Sequence, residues 1–140
     1  MNKLLELPKE KLVEIIEKLY ANHIKEPKYD IYSKSFFIEF LKQMLEVYKR
    51  YKNIKLVLLV FKFDETKIVE IKKHLRKSDL IAKYDNAFVI LLSETGNFGA
   101  YKVKNKLEKI LGVKGEIIDI NIKEGVKEVL KDIENKIKLY

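Results

Sequence analysis

The sequence predicts an α+β fold in which an antiparallel sheet is covered by helices. Three observations carry that expectation. From Ile54 onward, short apolar runs alternate with segments of helical periodicity in the order β-α-β-β-α-β-α. The middle two strands, Leu80 to Lys83 and Ala87 to Leu92, are joined by Asp85-Asn86, a pair that tolerates the positive φ of a tight hairpin turn. The chain has 140 residues and 47% apolar content, enough for one core and too little for two domains.

The elements follow in order. Pro8 fits the first turn of a helix, and Leu12, Ile15, Ile16 and Leu19 make its apolar stripe. This N-terminal helix is expected over residues 1–25, leading into a domain over 26–140. Glu26 to Tyr32 reads as a connector, and Ser33 as the N-cap of a second helix. Its stripe is Phe36, Phe37, Phe40, Leu41, Met44, Leu45 and Tyr48, reaching about Tyr51 before Asn53. Ile54 to Phe63 reads as a central strand, and Asp64 or Thr66 caps a short helix through Ile68, Ile71 and Leu75. After the hairpin, Ser93 to Asn97 is a loop. Ala100, Val103, Leu107 and Ile110 mark a helix closed by Gly112. Glu116 to Ile122 is the fourth strand, and Val126, Val129, Leu130, Ile133 and Ile137 mark a last helix. This order is the split βαβ, ferredoxin-like arrangement. The helices are expected on one face of the sheet, with the N-terminal pair extending that cover.

Composition excludes several classes. Without cysteine there are no disulfides, thiol nucleophiles or thiolate metal sites. No apolar run approaches the roughly 20 residues of a membrane span, and the start is too short and charged for a signal peptide. A cytoplasmic domain is expected. The net charge is +8, yet the lysines are interspersed with glutamate, as on solvated helix faces. High Lys and Glu content without Trp or Cys also suits a thermophile protein. His23 and His74 are isolated, so no zinc site is expected. Ala87-Phe88-Val89 fails as an RNA-recognition motif, because Leu91 stands where a stacking aromatic is wanted.

From Glu26 to the C-terminus the chain resembles the GGDEF (diguanylate cyclase) family, whose palm is an elaborated ferredoxin-like sheet. Glu26-Pro27-Lys28-Tyr29-Asp30-Ile31-Tyr32-Ser33-Lys34-Ser35-Phe36-Phe37 is similar to the family's opening motif. Leu56 to Asp64 is similar to its metal-bearing strand, and Arg76-Lys77-Ser78-Asp79 to its Arg-x-x-Asp motif. Phe88 to Leu92, Glu94-Thr95 and the helix from Ala100 are similar to the strand, loop and helix after the signature.

The departures bear on chemistry. In place of Gly-Gly-Asp-Glu-Phe stand Asp85, Asn86, Ala87 and Phe88, one residue shorter, with Ala87 at the glutamate position. The first metal aspartate falls on Phe61 or Lys62, leaving Asp64. The guanine-holding segment is essentially absent between Asp64 and Arg76. Mg²⁺ needs carboxylate oxygens, and joining two GTP molecules needs the metal. The resemblance therefore implies a degenerate domain without cyclase activity, catalytic residues, metal or cofactor.

Arg76 and Asp79 are the candidate ligand-binding pair. In the family this motif binds cyclic di-GMP; an arginine fork can bond guanine O6 and N7 while a carboxylate accepts from the opposite edge. Lys72, Lys73 and Lys77 would favour the dianion, and Arg50 is the other arginine available. The competing reading is an Arg–Asp contact closing the Ile68–Leu75 helix. The expected function is an inactive signalling domain, with cyclic di-GMP reception through Arg76 and Asp79. The alternative is a protein-interaction or homodimerisation module that binds no nucleotide, using the Asp85-Asn86 turn and first helix as a docking surface. Nucleic acid comes third, and no membrane is expected.

Overall fold

A computed structural model describes residues 29–48, 56–93, 97–120, 125–138 and 140. The N-terminal helix over 1–25, Arg50, His23 and the Glu94-Thr95 loop lie outside the described residues. Within them the order is α1 (Lys34–Tyr48), β1 (Leu56–Lys62), a 3₁₀ turn (Glu65–Lys67) running into α2 (Ile68–Lys73), β2 (Leu80–Tyr84), β3 (Ala87–Ser93), α3 (Asn97–Leu111), β4 (Glu116–Asp119) and α4 (Val126–Ile137).

The four strands form one antiparallel sheet in the spatial order β2-β3-β1-β4. β1 and β3 are central, as their uninterrupted apolar runs require, since each must be buried on both faces. The hairpin extends one residue beyond the expected Lys83, because Tyr84 pairs with Ala87 across the Asp85-Asn86 turn. Asp85 has φ 55°, the positive value the turn demands.

The expected one-sided helix cover is corrected by the structure: helices lie on both faces. On one face Leu56, Leu58 and Val60 of β1 pack with Phe37, Leu41 and Leu45 of α1 and Val129 and Ile133 of α4. On the other, Val57, Leu59 and Phe61 pack with Ile68 and Ile71 of α2 and Ala100, Leu107 and Leu111 of α3. The reason is in β1 itself, where six consecutive residues are buried and alternate between two apolar layers. A single helical layer would leave half of them in water, at about 1.5–3 kcal/mol per large side chain.

Local sequence sets the element ends. The Ser33 hydroxyl accepts the Phe36 N–H at 3.2 Å and caps α1. Asp64 caps the 3₁₀ turn by accepting the Thr66 N–H at 3.1 Å and the Thr66 hydroxyl at 2.7 Å. Gly112, at φ +71°, closes α3. The connector ahead of α1 lies along the outer edge of β2: Tyr32 N–H donates to the Ile81 carbonyl, and Lys83 N–H to that of Tyr32. Part of an edge strand is thereby covered.

Candidate functional site

Two regions contain the residues singled out from the sequence. The first is the end of the sheet where β1 leaves and the hairpin turns. At the last rung of the β1–β3 ladder Lys62 is paired with Ala87. One residue on, the Phe63 N–H donates to the Asn86 carbonyl at 2.8 Å, tying the turn to β1. The Phe63 ring lies between Tyr29, at 5.0 Å between centroids, and Phe88, at 4.9 Å. Lys83 lies over the same ring at 5.1 Å.

The hairpin turn is held by its neighbours. Lys34 of α1 pairs with the Asp85 carboxylate at 3.0 Å, and Lys83 donates to the Asp85 carbonyl at 2.9 Å. Asp85 and Asn86 are exposed, whereas Ala87 and Phe88 are fully buried. Tyr84 donates its hydroxyl to Glu134 of α4 at 3.2 Å, and burial pushes its ionisation well above the ordinary range. Asp85 and Asn86 therefore form the turn, and Ala87 and Phe88 pack in the core.

This end of the sheet does not fit a catalytic metal. The two positions to which the resemblance assigns the first metal aspartate hold Phe61, fully buried, and Lys62, a cation, and Ala87 opposite Lys62 has no donor atom. Asp64 remains, its carboxyl held below the usual range by the Thr66 hydroxyl and N–H. Among the described residues no three carboxylates or histidines converge. Beside them Tyr29, Lys62, Phe63, Asp64, Glu65 and Val113 line an open groove of about 450 Å³.

The second region is the turn between α2 and β2, where the structure brings Arg76 and Asp79 together. Asp79 accepts from the Arg76 backbone N–H at 2.9 Å, from Nε at 3.4 Å and from Nη2 at 3.2 Å. In return the Asp79 N–H donates to the Arg76 carbonyl at 3.0 Å. The Asp79 side chain is 3% exposed and that of Arg76 is 56% exposed. The carboxylate expected to face a ligand is turned inward and engaged by its own arginine. A groove of about 320 Å³ adjoins the pair, lined by Asp30, Tyr32, Lys72 and Lys77 with Arg76 and Asp79. Lys72 bridges it, donating at 2.8 Å both to the Asp30 carbonyl and to its carboxylate.

Sequence reading did not find Lys34 as the partner of Asp85, or Asp30 as the partner of Lys72. Both pairs span long stretches of chain, so no local spacing could signal them.

No family model matches the chain. No curated protein matches it in sequence. Solved structures do match in shape. The diguanylate cyclase SiaD of Pseudomonas aeruginosa, solved with its activator SiaC, superposes with TM-score 0.69 at 12% identity, over 91% of this chain and 62% of that one. The S helix-GGDEF-EAL portion of Vibrio cholerae LapD, solved bound to c-di-GMP, gives TM-score 0.70 at 10% identity, over 91% of this chain and 36% of that one. The GGDEF domain of P. aeruginosa TpbB (YfiN) gives 0.51 at 16% identity, over 66% and 70%. The chain spans less than two thirds of the length of the first two. At these identities the likeness is one of architecture: the chain has a GGDEF-like fold.

Proposed function

We propose that this chain is a catalytically inactive GGDEF-like signalling domain. The observation that carries the reading is the Lys62–Ala87 rung, which sets a cation opposite a methyl group at the strand end where the resemblance calls for acidic metal ligands. An ammonium group repels Mg²⁺, and phosphoryl transfer between two GTP molecules depends on divalent metal to neutralise the phosphates. The packing of Phe63 between Tyr29 and Phe88 supports the same reading. Incubation of the protein with GTP and either Mg²⁺ or Mn²⁺ tests it. The expected result is that no cyclic di-GMP forms. Product that disappears on Asp64→Ala would overturn the proposal, by revealing a metal site built on that carboxylate.

A second reading gives the domain a ligand: cyclic di-GMP, received at Arg76 and Asp79. Its support is the 320 Å³ groove, to which Lys72, Arg76 and Lys77 bring three cationic side chains. Against it stands the closed Arg76–Asp79 pair, which a guanine would have to open or approach along another edge of the guanidinium. If no nucleotide enters, the domain acts through contact with a protein or a second copy of itself.

A further inference from the structure

Among the described residues, the outer face of α3 carries two neighbouring exposed aromatic rings. Of the seven phenylalanines in the chain, six are buried or half-buried, while Phe98 is 75% exposed. One helical turn on, Tyr101 is 51% exposed. Residues three apart on a helix are surface neighbours, so the two rings form one patch. Neither belongs to the stripe that anchors the helix, which is Ala100, Leu107 and Leu111 with Val103 and Ile110 beside them.

α3 itself brings mostly positive charge to these rings. α3 carries Lys102, Lys104, Lys106 and Lys109 against one acid, Glu108. That acid is already committed: its carboxylate accepts the Gly115 N–H at 2.9 Å and pairs with Lys104 at 3.1 Å. Lys102 lies over the Phe98 ring at 4.6 Å, and Lys104 over the Tyr101 ring at 5.7 Å. Lys102, Lys106 and Lys109 are exposed.

We infer that the Phe98–Tyr101 face of α3 docks an acidic protein segment that contributes an apolar side chain to the rings and carboxylates to the surrounding lysines. Exposed aromatics beside a polar margin are the composition of an interface anchor. A second copy of the chain is disfavoured, because two like-charged lysine margins would meet. Single-stranded nucleic acid fits less well. A base needs an open ring face for stacking, and the ammonium groups of Lys102 and Lys104 already lie over these rings. An aliphatic side chain can pack on the exposed flank of the patch while an acid pairs with the exposed Lys102, Lys106 and Lys109. This surface is separate from the Arg76 groove and independent of whether that groove takes a nucleotide.

Fluorescence anisotropy with a synthetic helical peptide of leucine and glutamate tests the inference. Labelled oligothymidylate and a polyglutamate peptide serve as comparison probes. The leucine–glutamate peptide is expected to bind more tightly than either. Phe98→Ala should weaken it at least about tenfold, as for an interface anchor, and Lys102→Glu should weaken it further at low salt. Both side chains are exposed, and unchanged circular dichroism melting confirms that the variants fold. Peptide binding unaffected by Phe98→Ala, or no peptide binding, overturns the proposal. Tighter, Phe98-dependent binding of oligothymidylate overturns it in favour of nucleic acid.

Discussion

Lys62 and Ala87 face each other at the last rung of the ladder between the two central strands, so a side chain ending in an ammonium group and one without a donor atom are direct neighbours. The proposed inactivity rests on both residues together. Lys62→Asp adds one carboxylate two residues from Asp64 and leaves Ala87 without a donor. The expected result is that Lys62→Asp forms no cyclic di-GMP from GTP with Mg²⁺ or Mn²⁺. Chromatography of the reaction checks it. Product from this single variant would mean that Ala87 is not the position that limits ligation.

Gly115 gives a stability prediction. A Cβ at this position would lie 2.3 Å from the nearest carbon of the Phe61 ring, and that ring is fully buried against β1's neighbours. The ring has no space to retreat, so Gly115→Ala should cost about 1–3 kcal/mol, the range for overpacking. Urea unfolding measures it as a lower midpoint at unchanged slope. Phe61→Leu in the same chain should recover part of the loss, because the two sites share one contact. Strict additivity would place the cost in the Gly115 backbone instead.

The carboxylate of Glu108 predicts a pH dependence. The Gly115 N–H first, and then Lys104, hold its ionisation below the ordinary value of 4.5. As pH falls, the unfolded chain therefore takes up this proton before the folded one. The stabilisation is complete above the ordinary value and is lost as pH falls through the lowered one. Wild type should melt higher than Glu108→Gln at neutral pH, with the difference narrowing below about pH 4. A difference that is constant with pH would assign the effect to packing rather than charge.

Much of the architecture is legible in the sequence. The strand order follows from two uninterrupted apolar runs and a turn pair, and Asp85 adopts the positive φ that the pair implies. The one-sided helix cover was not a sound reading of those same runs. Val57, Leu59 and Phe61 alternate with Leu56, Leu58 and Val60, so both sets require a helical layer. Arg76 and Asp79 do meet, which is what the competing reading of an Arg–Asp contact after the helix expects. Their orientation was not legible, because spacing places two side chains near each other without saying whether they face a ligand or one another. Phe98 and Tyr101 left a signal in the sequence by falling off the Ala100–Val103–Leu107–Ile110 stripe.

The Arg76–Asp79 pair separates the receptor reading from its rival. Asp79 holds the turn through the Arg76 N–H as well as the guanidinium, so Asp79→Ala should destabilise the fold by about 1–3 kcal/mol whether or not a ligand binds. Binding distinguishes the cases. If Arg76 reads a guanine edge, titration calorimetry with cyclic di-GMP shows binding whose free energy weakens by about 1–3 kcal/mol in Arg76→Ala, the worth of one bidentate base contact. Arg76→Lys does not rescue it, since an ammonium lacks the planar fork. Cyclic di-AMP is the control, because a merely basic groove takes both dinucleotides alike and loses both with salt. Heat with cyclic di-GMP alone, lost with Arg76, is the expected result for a receptor. No heat, or equal affinity for the two, assigns the pair to holding the α2–β2 turn and leaves protein contact as the alternative reading.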